Sequence, residues 1–321
     1  MELSRLPFFD ALANAETVLL AGAGGGYDIF AGLPLYFALR GAGKTVHLAN
    51  LSFTHIYATN GRRMGPALIE ITHETEGSTR YFPEGYLCQW FYEERGETTP
   101  VYCFDRAGAK PVADAYRNLI SELGGVDAVV LIDGGTDSLM RGDEAGLGTP
   151  EEDSVSLYAV SRLTDVATKL LVCIGFGVDT FHGVCHAQFL ESVAALARDG
   201  AYLGAWSLLG DMPEVRAYQS AADYVHAKMF NHPSIVNSSV LSAVDGQFGN
   251  YHATYRTEGS ELFINPLMSL YWAFQLDAVA SRNLYLDRIG ETEDYAQVAL
   301  EIMKFRALTQ SSQREWVSLP M

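Results

Sequence analysis

The chain has little that would tie it to a membrane, a nucleic acid or an oxidising compartment. Only four of its 321 residues are cysteine, and Cys88, Cys103, Cys173 and Cys185 include no C-x-x-C pair. Two of them lie in or next to apolar runs, so buried free thiols are expected rather than disulfides or zinc. The start, MELSRLPFFDALANAE, has no basic segment leading into an apolar run, which argues against a signal peptide. No uncharged stretch approaches the roughly 18 apolar residues that span a bilayer. Basic residues are scarce: 22 Lys and Arg against 39 Asp and Glu leave a net charge of −17. Such a surface repels phosphate backbones, and no local basic patch offsets it. The expectation is a soluble, cytoplasmic protein with neither a nucleic-acid nor a membrane partner.

Apolar residues are plentiful, at 48% of the chain against 19% charged, the profile of a globular protein. Seventeen Tyr, sixteen Phe and four Trp argue for a dense core and a homo-oligomer interface. The segment Thr17 to Gly22 (TVLLAG) has a buried-strand pattern and runs into Gly24, Gly25 and Gly26. A helix is expected from Asp28 to Arg40, then a strand from Lys44 to Asn50. Strands at 101–104, 126–133, 169–174 and 201–205 alternate with helices near 111–123, 154–166 and 185–198. This alternation predicts an α/β protein with a doubly wound, mostly parallel, Rossmann-like sheet. Residues 51–100 are less regular, hold the strand-like ALIEIT and the aromatics Tyr86, Trp90, Phe91 and Tyr92, and suggest a peripheral insertion. From Pro213 the pattern is mainly helical, at 213–229, 234–244, 267–284 and 291–308. With no low-complexity linker or long repeat, residues 1–321 are expected to form one integrated domain.

Three strands end in related loops: LLAGAGGGYD (19–28), LIDGGTDS (131–138) and CIGFGVDT (173–180). Each places glycines after the strand and an Asp a few residues later. In a parallel sheet such loops share the edge at which ligands bind. Glycine also makes tight strand-to-helix turns, but three loops that each carry a carboxylate favour a shared site.

In the first loop, Gly24, Gly25 and Gly26 expose backbone N–H groups to which an anion can come close. The spacing departs from G-x-G-x-x-G, because Tyr27 stands at the third glycine position. Asp28 either caps the following helix or faces a ligand. In the second loop, seven carboxylates fall between Asp133 and Asp153, and a loop of that length inside a domain is often functional. Gly134 and Gly135 continue the ligand-facing turn. Asp133 and Asp137, nearest the strand end, suit ribose hydroxyls or, together with Asp143, a Mg²⁺ or Ca²⁺ ion. Glu151 to Asp153 are expected to be solvated, with Asp153 capping the next helix. In the third loop, His182 beside carboxylates is a natural general acid or base. His182 and His186 are four apart, but without H-E-x-x-H a zinc site is not favoured. Cys185 is expected to be a buried thiol rather than a nucleophile. Ser234, and Asn265 before Pro266, have the form of helix caps that also reach toward a ligand. Arg256 is either an anion clamp or a surface residue.

Two resemblances follow. Gly22-Ala-Gly24 with Ala31-Gly32-Leu33-Pro34 loosely resembles the glycine-rich NAD loop of sirtuins, with a longer gap between the two pieces. The blocks GAGGGYD, DGGTDSLMRGDEAGLGTPEEDS, GFGVDTFHGVCHAQFLE, SIVNSS and INPLMSLYW are similar to those of a prokaryotic family known as domain of unknown function 1152. That likeness spans nearly the whole chain. It implies one integrated α/β protein and carries no reaction or catalytic residue with it.

The convergence of a glycine loop, a carboxylate loop and a histidine loop favours an enzyme acting on a nucleotide or a phosphorylated ribose compound, a small anionic substrate. N-glycosidic cleavage or group transfer fits, with Asp133, Asp137 and His182 as catalytic groups. Gly24, Gly25, Gly26, Asp28, Gly134 and Gly135 would bind the ligand. One alternative is an NAD(P)-dependent oxidoreductase, weakened because no Asp or Glu lies between Lys44 and Ile69. Another is a non-catalytic nucleotide sensor or assembly protein.

Overall fold

The computed structural model describes residues 5–77 and 81–319. In chain order the strands are β1 (Thr17–Gly22), β2 (Thr45–Leu51), β3 (Arg62–Gly65), β4 (Leu68–Ile71), β5 (Val101–Phe104), β6 (Ala128–Asp133), β7 (Thr168–Cys173), β8 (Tyr202–Ser207), β9 (Gly249–Asn250), β10 (Phe263–Ile264) and β11 (Leu270–Gln275). The helices are α1 (Pro7–Ala11), α2 (Asp28–Ala31), α3 (Leu33–Gly41), α4 (Pro83–Arg95), α5 (Ala109–Glu122), α6 (Pro150–Ser161), α7 (His186–Arg198), α8 (Pro213–Lys228), α9 (Ile235–Val244), α10 (Leu276–Arg282) and α11 (Tyr295–Leu308). Among the described residues no helix is long and apolar enough to cross a membrane.

Nine strands form one sheet in the order β3-β4-β5-β2-β1-β6-β7-β11-β8. The central five, β5-β2-β1-β6-β7, are parallel, as a doubly wound fold requires. Strands buried on both faces have near-continuous apolar sequences, and β1 and β6 are such strands. Their side chains alternate between two cores. Leu19, Ala21, Val129 and Leu131 face one core, while Val18, Leu20, Val130 and Ile132 face the other. Helices α5, α6 and α7 contribute to the first core, and α2, α3, α4 and α8 to the second. The chain winds outward from β1 through β2 to β5, then returns to β6 on the other side of β1. The strand order reverses between β1 and β6, and the loops after both open at the same sheet edge.

Three expectations are modified. The helix of 28–40 breaks into α2 and α3 around Gly32, where a Cβ would meet Leu20 and Ile132 at 3.1 Å and Pro34 opens the second helix. The segment 267–284 is not one helix, because Leu270–Gln275 inserts as an antiparallel strand between β7 and β8, with a short 3-10 turn before it and α10 after it. A short apolar run fits either period, and pairing on both sides settles it as strand. The C-terminal third is otherwise mainly helical. In the 51–100 stretch, ALIEIT supplies β4, which pairs antiparallel with β5 and carries β3 at the sheet edge. Trp90 and Phe91 of α4 are buried in the second core, while Tyr92 is exposed and stacks on the His73 ring at 4.0 Å.

Candidate functional site

The loop leaving β1 turns through Gly25 and Gly26, both at positive φ (89° and 61°), a conformation that side chains with a Cβ rarely adopt. This turn brings Asp28 back over the loop, and its Oδ2 accepts the Gly24 N–H at 2.6 Å. No acceptor among the described residues takes the N–H groups of Gly25, Gly26 or Tyr27. Strand β6 ends at Asp133, whose Oδ2 accepts the Ser138 hydroxyl at 2.5 Å and the Ser138 N–H at 3.2 Å. Asp137 Oδ2 accepts the Thr149 N–H at 2.7 Å and its hydroxyl at 3.1 Å. From the loop after β7, Asp179 Oδ2 accepts the Thr136 N–H at 2.7 Å.

The long second loop then delivers a carboxylate that sequence reasoning assigned to solvent. Asp153, in the first turn of α6, is buried, and both of its oxygens lack a hydrogen-bond partner. It does not cap the helix: Thr149 holds that position and caps through no side-chain bond. No stripe in the sequence singled it out, because α6 is buried nearly all round, from Glu152 to Leu157 and at Ala159 and Val160.

These carboxylates surround glycines. A Cβ on Gly24 would fall 2.5 Å from Asp153 Oδ1 and 2.9 Å from Asp28 Oδ2. On Gly134 it would fall 2.6 Å from Asp28 Oδ1, and on Gly135 between 2.8 and 3.1 Å from oxygens of Asp179, Asp137 and Asp133. Gly24, Gly134 and Gly135 thus make room for protein carboxylates. One oxygen each of Asp28, Asp133 and Asp153 lie within 4.8 Å of one another. No ion pair to Lys, Arg or His engages any of the five aspartates among the described residues.

Burial without a cation disfavours charge. It is the main reason the acidity of the cluster is weakened. The Asp28 carboxyl is pushed up to about 8 by burial, opposed by the Gly24 N–H and reinforced by the Asp137 carboxylate. Burial and then the Asp137 carboxylate hold Asp133, Asp153 and Asp179 well above the usual carboxylate range.

A cavity of about 510 Å³ opens over these groups at the sheet edge. The Gly24–Asp28 loop forms one wall, Asp133, Asp137, Asp153 and Asp179 the floor, and Ser234 to Asn237 a second wall. Ser234 caps α9 by accepting the Asn237 N–H at 3.1 Å, and Asn237 Nδ2 donates to the Tyr27 carbonyl at 3.2 Å, which ties that wall to the glycine loop. Asn265 caps the turn at Leu267. Arg256 lines the cavity and donates to the Pro233 carbonyl at 2.9 Å.

The three sequence-predicted loops therefore meet in one cavity, but not every predicted residue does. Gly24, Gly25, Gly26, Asp28, Asp133, Gly134, Asp137 and His182 line it, and Gly135 lies against the floor carboxylates. Asp143 is placed elsewhere. It pairs with Arg314 at 3.0 Å and Arg141 at 3.2 Å, so it does not join Asp133 in a metal set, and Asp153 stands where it was expected. His182 is exposed at the rim. His186 turns away from the cavity, its Nε2 lying 3.1 Å from the Thr180 hydroxyl, and burial lowers its basicity. The Cys185 thiol is buried and donates to the Val317 carbonyl at 3.1 Å. Asn50, at the end of β2, donates to Glu84 at 2.8 Å and to the Gly26 carbonyl at 2.9 Å. That site, where a dinucleotide fold places its ribose-binding acid, is packed with protein.

Neither the curated proteins nor the solved structures yield a match to the chain. A family model described as protein of unknown function (DUF1152) matches residues 83–311, a span that holds Asp133, Asp137, Asp153, Asp179 and His182 and begins after the first glycine loop. The chain belongs to that family.

Proposed function

We propose that the protein is an enzyme acting on a nucleotide or a phosphorylated ribose compound, by N-glycosidic cleavage or transfer of the ribosyl group. The observation that carries this reading is the cavity at the reversal of strand order, lined by a carboxylate floor and by Gly25, Gly26 and Tyr27, whose N–H groups have no acceptor among the described residues. Open α/β sheets bind their ligands at that crevice. The N–H groups suit a phosphate, and carboxylates suit ribose hydroxyls and the positive charge that develops on a sugar as its C1′–N bond breaks.

In this reading the Asp137 carboxylate, held by Thr149, stabilises the sugar cation. The bonding pair leaves with the base nitrogen, which takes a proton from His182, and water or an acceptor hydroxyl bonds to C1′ and returns a proton to the imidazole. The oxidoreductase alternative loses ground, because the end of β2 is filled by Asn50 and Glu84 rather than open to a ribose.

The test is a thermal-shift panel of NAD⁺, NADP⁺, ATP, nucleosides and ribose phosphates, followed by product analysis of any ligand that shifts the melt. A ligand at 100 times its Kd stabilises by about 2.7 kcal/mol. Asp137→Asn should keep the fold and lose turnover. A cooperative melt that no phosphorylated ligand moves would overturn the proposal, as would an Asp137→Asn variant as active as the parent.

A further inference from the structure

The geometry points to a divalent-cation site built by Asp28, Asp133 and Asp153, selective for a hard ion such as Mg²⁺ or Mn²⁺. Three observations carry it. The first is convergence: one oxygen from each carboxylate lies within 4.8 Å of the others. Around an ion with metal–oxygen bonds of about 2.1 to 2.4 Å, neighbouring ligands sit about 3 Å apart and opposite ones about 4 to 5 Å apart.

The second is Asp153. Its side chain is buried to 4% exposure, and neither oxygen has a partner. An orphaned buried carboxylate costs several kcal/mol unless it is paired, protonated or bound to a metal. A first-turn carboxylate also complements the dipole of α6, but Glu151 and Glu152 already occupy that turn, and the dipole does not demand that Asp153 be buried.

The third is the support behind the other two. Asp28 is fixed by the Gly24 N–H and Asp133 by both donors of Ser138. In each case one oxygen is anchored while the carboxylate still faces the cavity, as in metal ligands oriented by an outer shell of hydrogen bonds. Gly24 keeps the space open, since a Cβ there would stand 2.5 Å from Asp153 Oδ1. With oxygen donors only, the set suits hard ions over thiophilic ones.

The ion's presence stands on this geometry alone. Only its use, to let a substrate phosphate rest against an acidic floor, depends on the function proposed above. The experiment is therefore run without nucleotide. Protein dialysed against EDTA is titrated with Mn²⁺, followed by the loss of free-ion electron paramagnetic resonance signal, with Mg²⁺ and Ca²⁺ as competitors. The expected result is one Mn²⁺ per chain, displaced by Mg²⁺. Binding should weaken at least 100-fold in Asp153→Asn and about 10-fold in Ser138→Ala, which touches no ion and acts by orienting Asp133. Asp143→Asn, remote from the cavity, should bind as the parent does. If Asp153→Asn fails to fold, Ser138→Ala and Asp143→Asn still separate the outcomes. No Mn²⁺ binding at millimolar concentration, or binding that Asp153→Asn and Ser138→Ala leave unchanged, overturns the site. Binding of the ion with no nucleotide or ribosyl ligand found would overturn the proposed function and leave the site standing.

Discussion

Removing the charge of Asp153 should make the metal-free protein more stable while it destroys the site. Two unit charges no more than 4.8 Å apart repel by at least about 3.5 kcal/mol at an effective dielectric of about 20. Asp153 faces two such neighbours, Asp28 and Asp133, and has no hydrogen bond to lose. The cluster will shed part of its charge by taking up protons rather than bear the full repulsion, so the relief from Asp153→Asn should be of the order of one pair, about 3 kcal/mol. Near 2 °C per kcal/mol for a chain of this size, that is about 6 °C in Tm. The assay is thermal unfolding in EDTA at pH 8, with parent and variant scanned at one rate because large chains often unfold irreversibly. Mn²⁺ at 100 times the parent's Kd should close most of that gap, since the parent then gains about 2.7 kcal/mol. An Asp153→Asn variant melting at or below the parent in EDTA would refute the premise that these carboxylates strain the fold.

Two further outcomes test the surrounding structure. Gly148→Ala should destabilise by about 3 to 5 kcal/mol in a denaturant melt, because Gly148 sits at φ +73°, a Cβ there would overlap the Asp137 carboxylate, and that carboxylate would lose its bonds from Thr149; a change under 1 kcal/mol would count against the described turn. Glu84 is buried and its carboxyl is raised above the usual range by that burial, with Asn50 and Thr54 opposing. The folded state then holds its proton longer than the unfolded one, so the stability it contributes is full below about pH 4.5 and is lost as pH rises through the raised value. Glu84→Gln should flatten that decline in a pH series of urea melts, and an unchanged slope would exclude Glu84 as its source.

Much of this fold was legible because each parallel strand announces itself locally. TVLLAG and VDAVVLID are apolar on both faces, and each runs into glycines at the sheet edge. The shared edge of the three loops followed from parallel pairing alone. Segment 267–284 was not legible, because LYWAFQ suits a helix as well as a strand until β7 and β8 flank it. Asp143 and Asp153 changed places for a related reason. Both belong to one acidic stretch, and composition cannot tell that Arg314, about 170 residues away, pairs with Asp143. Nothing in the periodicity of α6 marked Asp153 as inward, because that helix is buried nearly all round, and an acidic residue near a helix start commonly caps it.

The origin of the three ligands explains why the site can persist against its own repulsion. Asp28 follows β1, Asp133 ends β6, and Asp153 comes from the helix leaving β6. They converge only when β1 and β6 pair, in the register that sets Gly22 beside Ile132. That pairing is secured elsewhere, by Leu19, Leu20, Val130 and Leu131, which are fully buried in the two cores. Burying such residues is worth about 1.5 to 3 kcal/mol each, so a few of them outweigh an electrostatic penalty of the size estimated above. The penalty does nothing for the fold. A buried, unpaired, mutually repelling set of carboxylates in an otherwise well-matched sheet is the kind of local violation that function accounts for and stability does not.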